Sequence, residues 1–397
     1  MPWRDERPMD QRVKFIARLL DGEKMIDLCR EFGIARKTGY KFLERYEKYG
    51  VEGLNDASRR PFHLARKTDD QVEALIIKLK GVYPTWGPKK LKARIEKLHP
   101  GVAFPATSTF GEVLLRHGLV KPRRRRPIEE RFHPTGLTES KACNEIWNTD
   151  FKGQFRVGTQ EYCYPLTVTD DLSRYLLSCE GLNSTKARPA IAIFEQLFDE
   201  YGLPGSIKSD NGVPFSARGV GGLSELSAWW MSLGIKPQRI RPGNPQENGR
   251  HERMHRTLKA ETTRPAGKNL LQQQEKFDEF KERYNQERPH EALDMRAPVE
   301  VYNKSIFNLA AAQNADHYAL HDFTKTISFN GMFRLTPTKH CFIGRALRGL
   351  QLGFRDLGQS VLLVSLGPFD IGYIDARRAT PQYTAENPMD EEAEYIL

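Results

Sequence analysis

Three acidic residues, Asp150, Asp210 and Glu252, are separated by 60 and 42 positions. At such distances only the fold can bring them together. Adjacent strands would set Asp150 beside Asp210, and a helix packed over the sheet edge would deliver Glu252. The resulting all-oxygen donor set suits Mg²⁺ or Mn²⁺, hard ions that keep water and phosphate oxygens in their remaining positions. Two such ions about 4 Å apart activate an attacking oxygen and stabilise a leaving one in phosphoryl displacement. Taken singly, each acid has an ordinary reading: a strand end, the turn Asp210-Asn211-Gly212, and a solvated helix residue. Asp170 and Asp171 are assigned to a turn between strands.

The helix of Glu252 reads further by its period. Arg256 and Lys259 lie at i+4 and i+7, share the Glu252 face and could hold strand phosphates, while Met254 and Leu258 would face a core. The competing reading of Arg256 is an intrahelical ion pair with Glu252. His251, Glu252 and His255 also spell H-E-x-x-H, the pattern in which two histidines bind zinc and the glutamate acts as a base.

The elements that must position these acids begin near residue 145. EIWNTDFKGQF, EYCYPLTVTD and RYLLSCEGL alternate as three strands, with Thr169 to Ser173 turning between the second and third. A helix over about 186 to 201 shows a stripe of Ala190, Phe194, Leu197, Phe198 and Tyr201; Pro189 is tolerated in its first turn, and Gly202 ends it. GSIKSD is a short strand. A helix over Leu226 to Leu233, a strand near Lys236 to Ile240, a helix from near Asn248 and another over 271 to 287 follow. Antiparallel strands followed by alternating helices and strands predict a mixed α/β sheet of the ribonuclease H type.

Ahead of this core, residues 10 to 49 read as three helices. Val13, Ile16, Ala17 and Leu20 repeat at helical spacing, as do Met25, Leu28 and Phe32. Gly33 supplies a turn, and Phe42, Leu43, Tyr46 and Tyr49 form the inner face of a third helix carrying Arg36, Lys37, Thr38, Lys41, Arg45 and Lys48. This is the pattern of a helix-turn-helix with a basic recognition helix. A solvated bundle is the plainer alternative.

A second helical unit over 68 to 118 has stripes of Val72, Leu75, Ile76 and Leu79, of Leu91, Ile95 and Leu98, and of Phe110, Val113 and Leu114. YPTWGPKKLKARI lies within it, with Lys89, Lys90, Lys92 and Arg94 crowding one helix and Trp86 as a packing anchor. KPRRRRP then reads as a solvated linker in which Arg123, Arg124, Arg125 and Arg126 could neutralise phosphates. Beyond about 320, short apolar runs broken by glycine predict a small all-β module, followed by an acidic tail.

Composition agrees with a polyanionic partner. Lysine and arginine number 61 against 51 acids, a net charge of +10, and 39% hydrophobic residues suffice for several cores. No run approaches the roughly 20 apolar residues of a membrane span, and no apolar targeting segment opens the chain. Five scattered cysteines suggest neither a disulfide framework nor a zinc cluster, so reduced thiols in a cytoplasm are expected.

WNTDFKG, SDNGVPF and RPGNPQENGRHERMHRTLKAE together resemble the core motifs of bacterial insertion-sequence transposases of the retroviral integrase superfamily, the DDE group. YNQERPHEAL, the Trp-Gly-Pro-Lys-Lys segment and the order of helix-turn-helix, core and β module are similar to that family as well. The resemblance implies a ribonuclease H-like core, two divalent metal ions, cleavage at transposon ends and transfer by the exposed 3′ hydroxyl. It gives Asp150, Asp210 and Glu252 the catalytic and metal-ligand roles. It also implies double-stranded DNA as partner, as transposon ends and target, and a homo-oligomer on paired ends in a bacterial, nucleoid-associated setting. The interval before Glu252 is longer than the family's usual one, and SARGVGGLSE is read as filling it.

The expected layout is a helix-turn-helix unit over 1–60, a second helical DNA-binding unit over 61–120, a basic linker over 121–141, the catalytic core over 142–305 and a β-rich module over 306–397. The DNA contacts expected are Arg36, Lys37, Lys41, Arg45, Lys89, Lys90, Arg123 to Arg126, Arg256 and Lys259. A DNA-binding regulator with an inactive core is the alternative, and a zinc peptidase the third reading.

Overall fold

The computed structural model of the chain describes residues 8–56, 68–121, 140–217, 219–241, 245–377 and 380–388. Two compact units emerge, Met1–Thr68 and Asp69–Leu397. Arg123 to Arg126 lie outside the described residues.

In the first unit, α1 (Pro8–Leu20), α2 (Met25–Glu31) and α3 (Arg36–Tyr49) close on Phe15, Ile16, Leu28, Cys29, Phe42 and Leu54. Gly33 turns the chain with φ +64° between α2 and α3. Gly39 lets α3 approach α2, since a Cβ there would stand 2.7 Å from the Met25 sulfur and 2.8 Å from that of Cys29. The predicted stripe of α1 is corrected in part: Ile16 is buried as expected, but Val13, Ala17 and Leu20 are exposed and Phe15 faces inward. Both sets satisfy a 3.6-residue period, but Phe15 has a larger apolar surface to bury and meets Phe32 edge-on at 5.5 Å. Arg12 fills the rest of that face, donating to the Leu54 carbonyl at 2.8 Å and pairing with Asp56 at 2.7 Å. Tyr49 is likewise exposed, at the last turn of α3.

The second unit opens with α4 (Asp70–Val82), α5 (Pro88–Leu98) and α6 (Thr107–Arg116), packed around Ile76, Trp86, Leu91, Ile95, Phe110, Val113 and Leu114. Leu98, expected on the α5 stripe, is exposed at the helix end. Trp86 is buried and stacks on Tyr83 at 4.0 Å, the anchor role its sequence context suggested.

The sheet that follows contains β1 (Ile146–Phe151), β2 (Phe155–Arg156), β3 (Tyr162–Asp170) and β4 (Leu176–Leu182), then α7 (Ala187–Tyr201), β5 (Ser206–Ser209), α8 (Glu225–Ser232) and β6 (Lys236–Arg239). β3 is antiparallel to β1, β2 and β4, whereas β5 runs parallel to β1 and β6 parallel to β5. This is the ribonuclease H-like arrangement. On one face, all five predicted α7 stripe residues are buried against Trp147, Ile207 and the α8 residues Leu226 and Trp230. On the other, α9 (Gly249–Thr262) and α10 (Leu270–Gln286) bury Met254, Leu258, Phe277, Phe280 and Tyr284 against Cys163, Leu176 and Cys179. Helices on both faces exclude water from the sheet and leave the strand ends accessible.

After α11 (Leu309–Gln313) come β7 (Phe323–Thr326), β8 (Met332–Arg334), β9 (His340–Phe342), β10 (Gln351–Asp356), β11 (Val361–Leu366), β12 (Phe369–Asp375) and β13 (Gln382–Thr384). These form one seven-stranded sheet in the order β7-β10-β11-β12-β13-β9-β8. Its core includes Leu352, Phe354, Val364 and Ile374, together with Leu223, Ala228 and Met231 from α8 and the loop before it. The segment that lengthens the interval before Glu252 therefore docks partly on the β module. Glu225 pairs with Arg348 at 2.7 Å across the same contact.

Candidate active site

β1 carries Asp150 because IWNTDF combines aromatic and β-branched residues suited to a buried strand, with Trp147 fully buried as its anchor. The parallel register pairs Ile146 with Ser206, Trp147 with Ile207 and Asn148 with Lys208. Two residues further along stand Asp150, near the C-terminal end of β1, and Asp210, just past that of β5. The Asp210 carboxylate accepts from the Gly212 N–H at 3.0 Å, so the Asp-Asn-Gly turn exists and also orients the acid. A Cβ at Gly212 would lie 3.0 Å from the Asp210 Oδ2, so a larger residue there would need the carboxylate to shift by a few tenths of an ångström.

Glu252 stands exposed in the first turn of α9, whose Met254 and Leu258 are buried as the helical period predicted. Arg256 and Lys259 are exposed along the same helix. Among the described residues, no ion pair joins Arg256 to Glu252.

The Asp150 carboxyl is pushed up to about 7, first by burial, then by the charge of Asp210 and, more weakly, of Glu252; Lys152 opposes this. Acids from a loop and from a helix thus both act electrostatically on the strand residue Asp150. Among the described residues, no three His, Cys, Asp or Glu side chains are gathered closely enough to enclose a metal ion. The donor chemistry is nonetheless that of a hard divalent ion, which would relieve the like-charge repulsion around Asp150.

His251 and His255 are buried between α9 and β3. The Thr167 hydroxyl lies 2.7 Å from His251 Nε2 and 2.6 Å from His255 Nε2, and the Thr169 hydroxyl lies 3.0 Å from His251 Nδ1. His255 Nδ1 lies 3.7 Å from the Asp150 Oδ2. Burial lowers the His251 imidazole to about 3 and holds His255 well below its usual range, so both act as neutral polar pegs of the helix. With both nitrogens of His251 committed to threonines, the pair does not offer the free lone pairs of a zinc site. Thr167 escaped the sequence reading and Thr169, assigned there to the turn, lies in β3; their alternation on a strand facing a histidine-bearing helix was the available signal. Lys152, two positions beyond Asp150, was also missed.

Asp171 stands in the turn after β3, as the turn reading had it, whereas Asp170 is the last residue of β3 and pairs with Trp147 of β1; both are buried. Asp170 accepts from the Asn144 N–H at 2.7 Å, the Ser173 N–H at 2.8 Å and the Ser173 hydroxyl at 2.6 Å. Asp171 accepts from Ser140 at 2.8 Å, Asn148 at 2.9 Å and Arg250 at 2.8 Å. Burial pulls the Asp171 carboxyl up, but these hydrogen bonds and Arg250 outweigh it and hold the group below the usual range.

The basic residues expected at DNA occupy several settings. Arg36, Lys37 and Lys41 are exposed on α3, whereas Arg45 is half-buried and its guanidinium lies over the Phe42 ring at 5.9 Å. On α5, Lys89 pairs with Glu291, Arg94 with Glu287 at 3.0 Å and Lys97 with Glu300 at 3.0 Å. Glu287 also accepts from the Tyr83 hydroxyl at 2.7 Å. Arg288 pairs with Glu261 at 3.4 Å and lies 5.9 Å from the Trp86 ring. The Trp-Gly-Pro-Lys-Lys and YNQERPHEAL motifs thus meet, joining the second helical unit to the core. Lys90, half-buried there, is lowered to about 7 by burial and by Arg288.

Residues 140–245 match the Integrase core domain family, and 233–298 match a further model of that description. Residues 11–62 match the Helix-turn-helix domain and 38–114 the Homeodomain-like domain. An uncharacterized 39.2 kDa protein of insertion element IS476 from Xanthomonas euvesicatoria is 26% identical over 71% of this chain and 79% of its own length. An uncharacterized 31.7 kDa protein of insertion element IS407 from Burkholderia multivorans is 25% identical over 62% of this chain and 87% of its own. Among solved structures, the trimeric form of the HTLV-2 integrase catalytic core domain in complex with magnesium is 17% identical, with a TM-score of 0.33, over 41% of this chain and 99% of that one. Among the described residues, no helix is long and apolar enough to cross a membrane.

Proposed function

Since this chain belongs to the insertion-sequence transposases of the retroviral integrase superfamily, we propose that it cleaves DNA at transposon ends and joins the exposed 3′ hydroxyl to target DNA. The observation that carries this reading is the raised Asp150 carboxyl, which feels Asp210 and Glu252 from separate elements. Asp150, Asp210 and Glu252 would hold Mg²⁺ or Mn²⁺, which when bound supplies activation of the attacking oxygen and stabilisation of the leaving one. Asp150 must first lose its proton, and Lys152 favours its charged form. Arg256 and Lys259 neutralise strand phosphates beside the acids, fixing the scissile bond in place. The His251 and His255 pegs keep α9 against β3 so that Glu252 stays at the sheet edge. α3, through Arg36, Lys37 and Lys41, reads double-stranded end DNA in the major groove. Lys89, Lys90 and Arg123 to Arg126 remain candidate phosphate contacts, and two ends are held by a homo-oligomer.

Purified protein incubated with its native flanking DNA and Mg²⁺ tests this. Cleavage and joining by the wild type, lost in Asp150→Asn, Asp210→Asn and Glu252→Gln while end binding persists, is the expected result. Cleavage by Asp150→Asn would show the assignment wrong. Specific end binding without cleavage by the wild type would favour a regulator instead.

A further inference from the structure

Glu252 stands in the first turn of α9, where Gly249 is half-buried and Arg250 and Glu252 are exposed. What fixes that turn comes from the two residues just before the glutamate. His251 is held by Thr167 and Thr169 on β3. Arg250 Nη1 donates to the Asp171 Oδ2 at 2.8 Å, in a pair whose acid side chain is 4% exposed and whose arginine is 47% exposed. Asp171 is itself immobilised by Ser140, by Asn148 on β1 and, at 3.6 Å, by Arg174 in its own turn. Asn148 is two residues before Asp150 on the same strand. One buried carboxylate therefore ties the strand of the first acid to the helix of the third.

We propose that Asp171 and Arg250 are positioning residues that fix the rotation of α9 and so aim Glu252 at Asp150 and Asp210. The inference rests on the metal-dependent reading above. A helix pinned at one point turns about it; His251 is held by Thr167 and Thr169 on β3 and Arg250 by Asp171 in the turn just past that strand, so α9 is pinned at two consecutive residues, which stops that rotation. Groups that orient metal-binding side chains typically change metal affinity about 10- to 100-fold when removed.

The test uses the full chain with Arg250→Met, Arg250→Lys and Asp171→Asn beside the wild type. Mn²⁺ binding is followed by electron paramagnetic resonance, end-DNA binding by fluorescence anisotropy, folding by thermal midpoint, and cleavage by turnover on end DNA. We expect the Mn²⁺ midpoint of Arg250→Met to rise about tenfold and turnover to fall, with end binding unchanged, the thermal midpoint lowered only modestly by loss of the Asp171 partner and Arg250→Lys restoring most of the loss. Because Arg250 is half-exposed, its variants stay informative even where Asp171→Asn fails to fold. A wild type that binds Mn²⁺ and cuts, beside an Arg250→Met protein that does both equally well, overturns the positioning role alone. A wild type that neither binds Mn²⁺ nor cuts overturns the reading beneath it, and this role with it.

Discussion

Replacing Asp150 by asparagine should stabilise the metal-free protein while abolishing its chemistry. A carboxyl moved from its ordinary 3.8 to about 7 represents roughly 4 kcal/mol of lost stability once fully ionised, at about 1.4 kcal/mol per tenfold change in proton affinity. The side chain is 21% exposed, and solvent screening brings the figure down to about 2 kcal/mol. The folded state holds this proton more tightly than the unfolded chain, so stability falls as pH rises through the window from about 4 to about 7. Asparagine has no such dependence. In chelator at pH 8, Asp150→Asn should therefore melt about 3 °C above the wild type, and the difference should shrink as pH drops towards 4. Adding Mg²⁺ should raise the wild-type midpoint and leave that of the variant nearly unchanged. Differential scanning calorimetry at several pH values, with and without Mg²⁺, measures all of this. A variant no more stable than the wild type at pH 8, or equally more stable at pH 4, would refute the claim that Asp150 is raised by burial among like charges.

Other substitutions probe the surroundings. Glu287→Ala removes the acceptor shared by Tyr83 and Arg94, and we expect a loss of about 2 kcal/mol with faster hydrogen exchange in α4 and α5; unchanged exchange there would show that this junction does not hold the second helical unit. Thr167→Val removes the hydroxyl between the His251 and His255 rings, at a cost of about 1–3 kcal/mol in urea unfolding, and an effect below experimental error would mean the pegs are dispensable. Arg256→Ala, at an exposed position, should leave the thermal midpoint alone and reduce the slope of log affinity against log salt by about one; a full wild-type slope would remove Arg256 from the DNA contacts.

Much of the core was legible because its signals are local and periodic. The α7 stripe from Ala190 to Tyr201 is buried as spaced, and Met254 and Leu258 face inward as their i, i+4 relation required. Alternation was equally plain in EYCYPLTVTD, which becomes β3. The stripe of α1 failed where two apolar sets competed on one short helix, and the choice depended on partners such as Phe32 that lie far along the chain. The basic face of α5 looked like a DNA surface, but charge in a sequence carries no address. Only the fold reveals that Lys89, Arg94 and Lys97 meet glutamates from the region of α10 and beyond.

The sequence by itself determined the residue types: three carboxylates in motifs that resemble one family, basic helices, and strands and helices in their order. These follow from side-chain chemistry and short-range periodicity. Tertiary structure decided that Asp210 and Glu252 both act on Asp150, that Asp171 is reached by Arg250, and that His251 and His255 peg a helix through Thr167 and Thr169. Those outcomes depend on strand register and helix rotation, which are set by packing between segments some 80 residues apart. No local pattern of residues encodes such contacts.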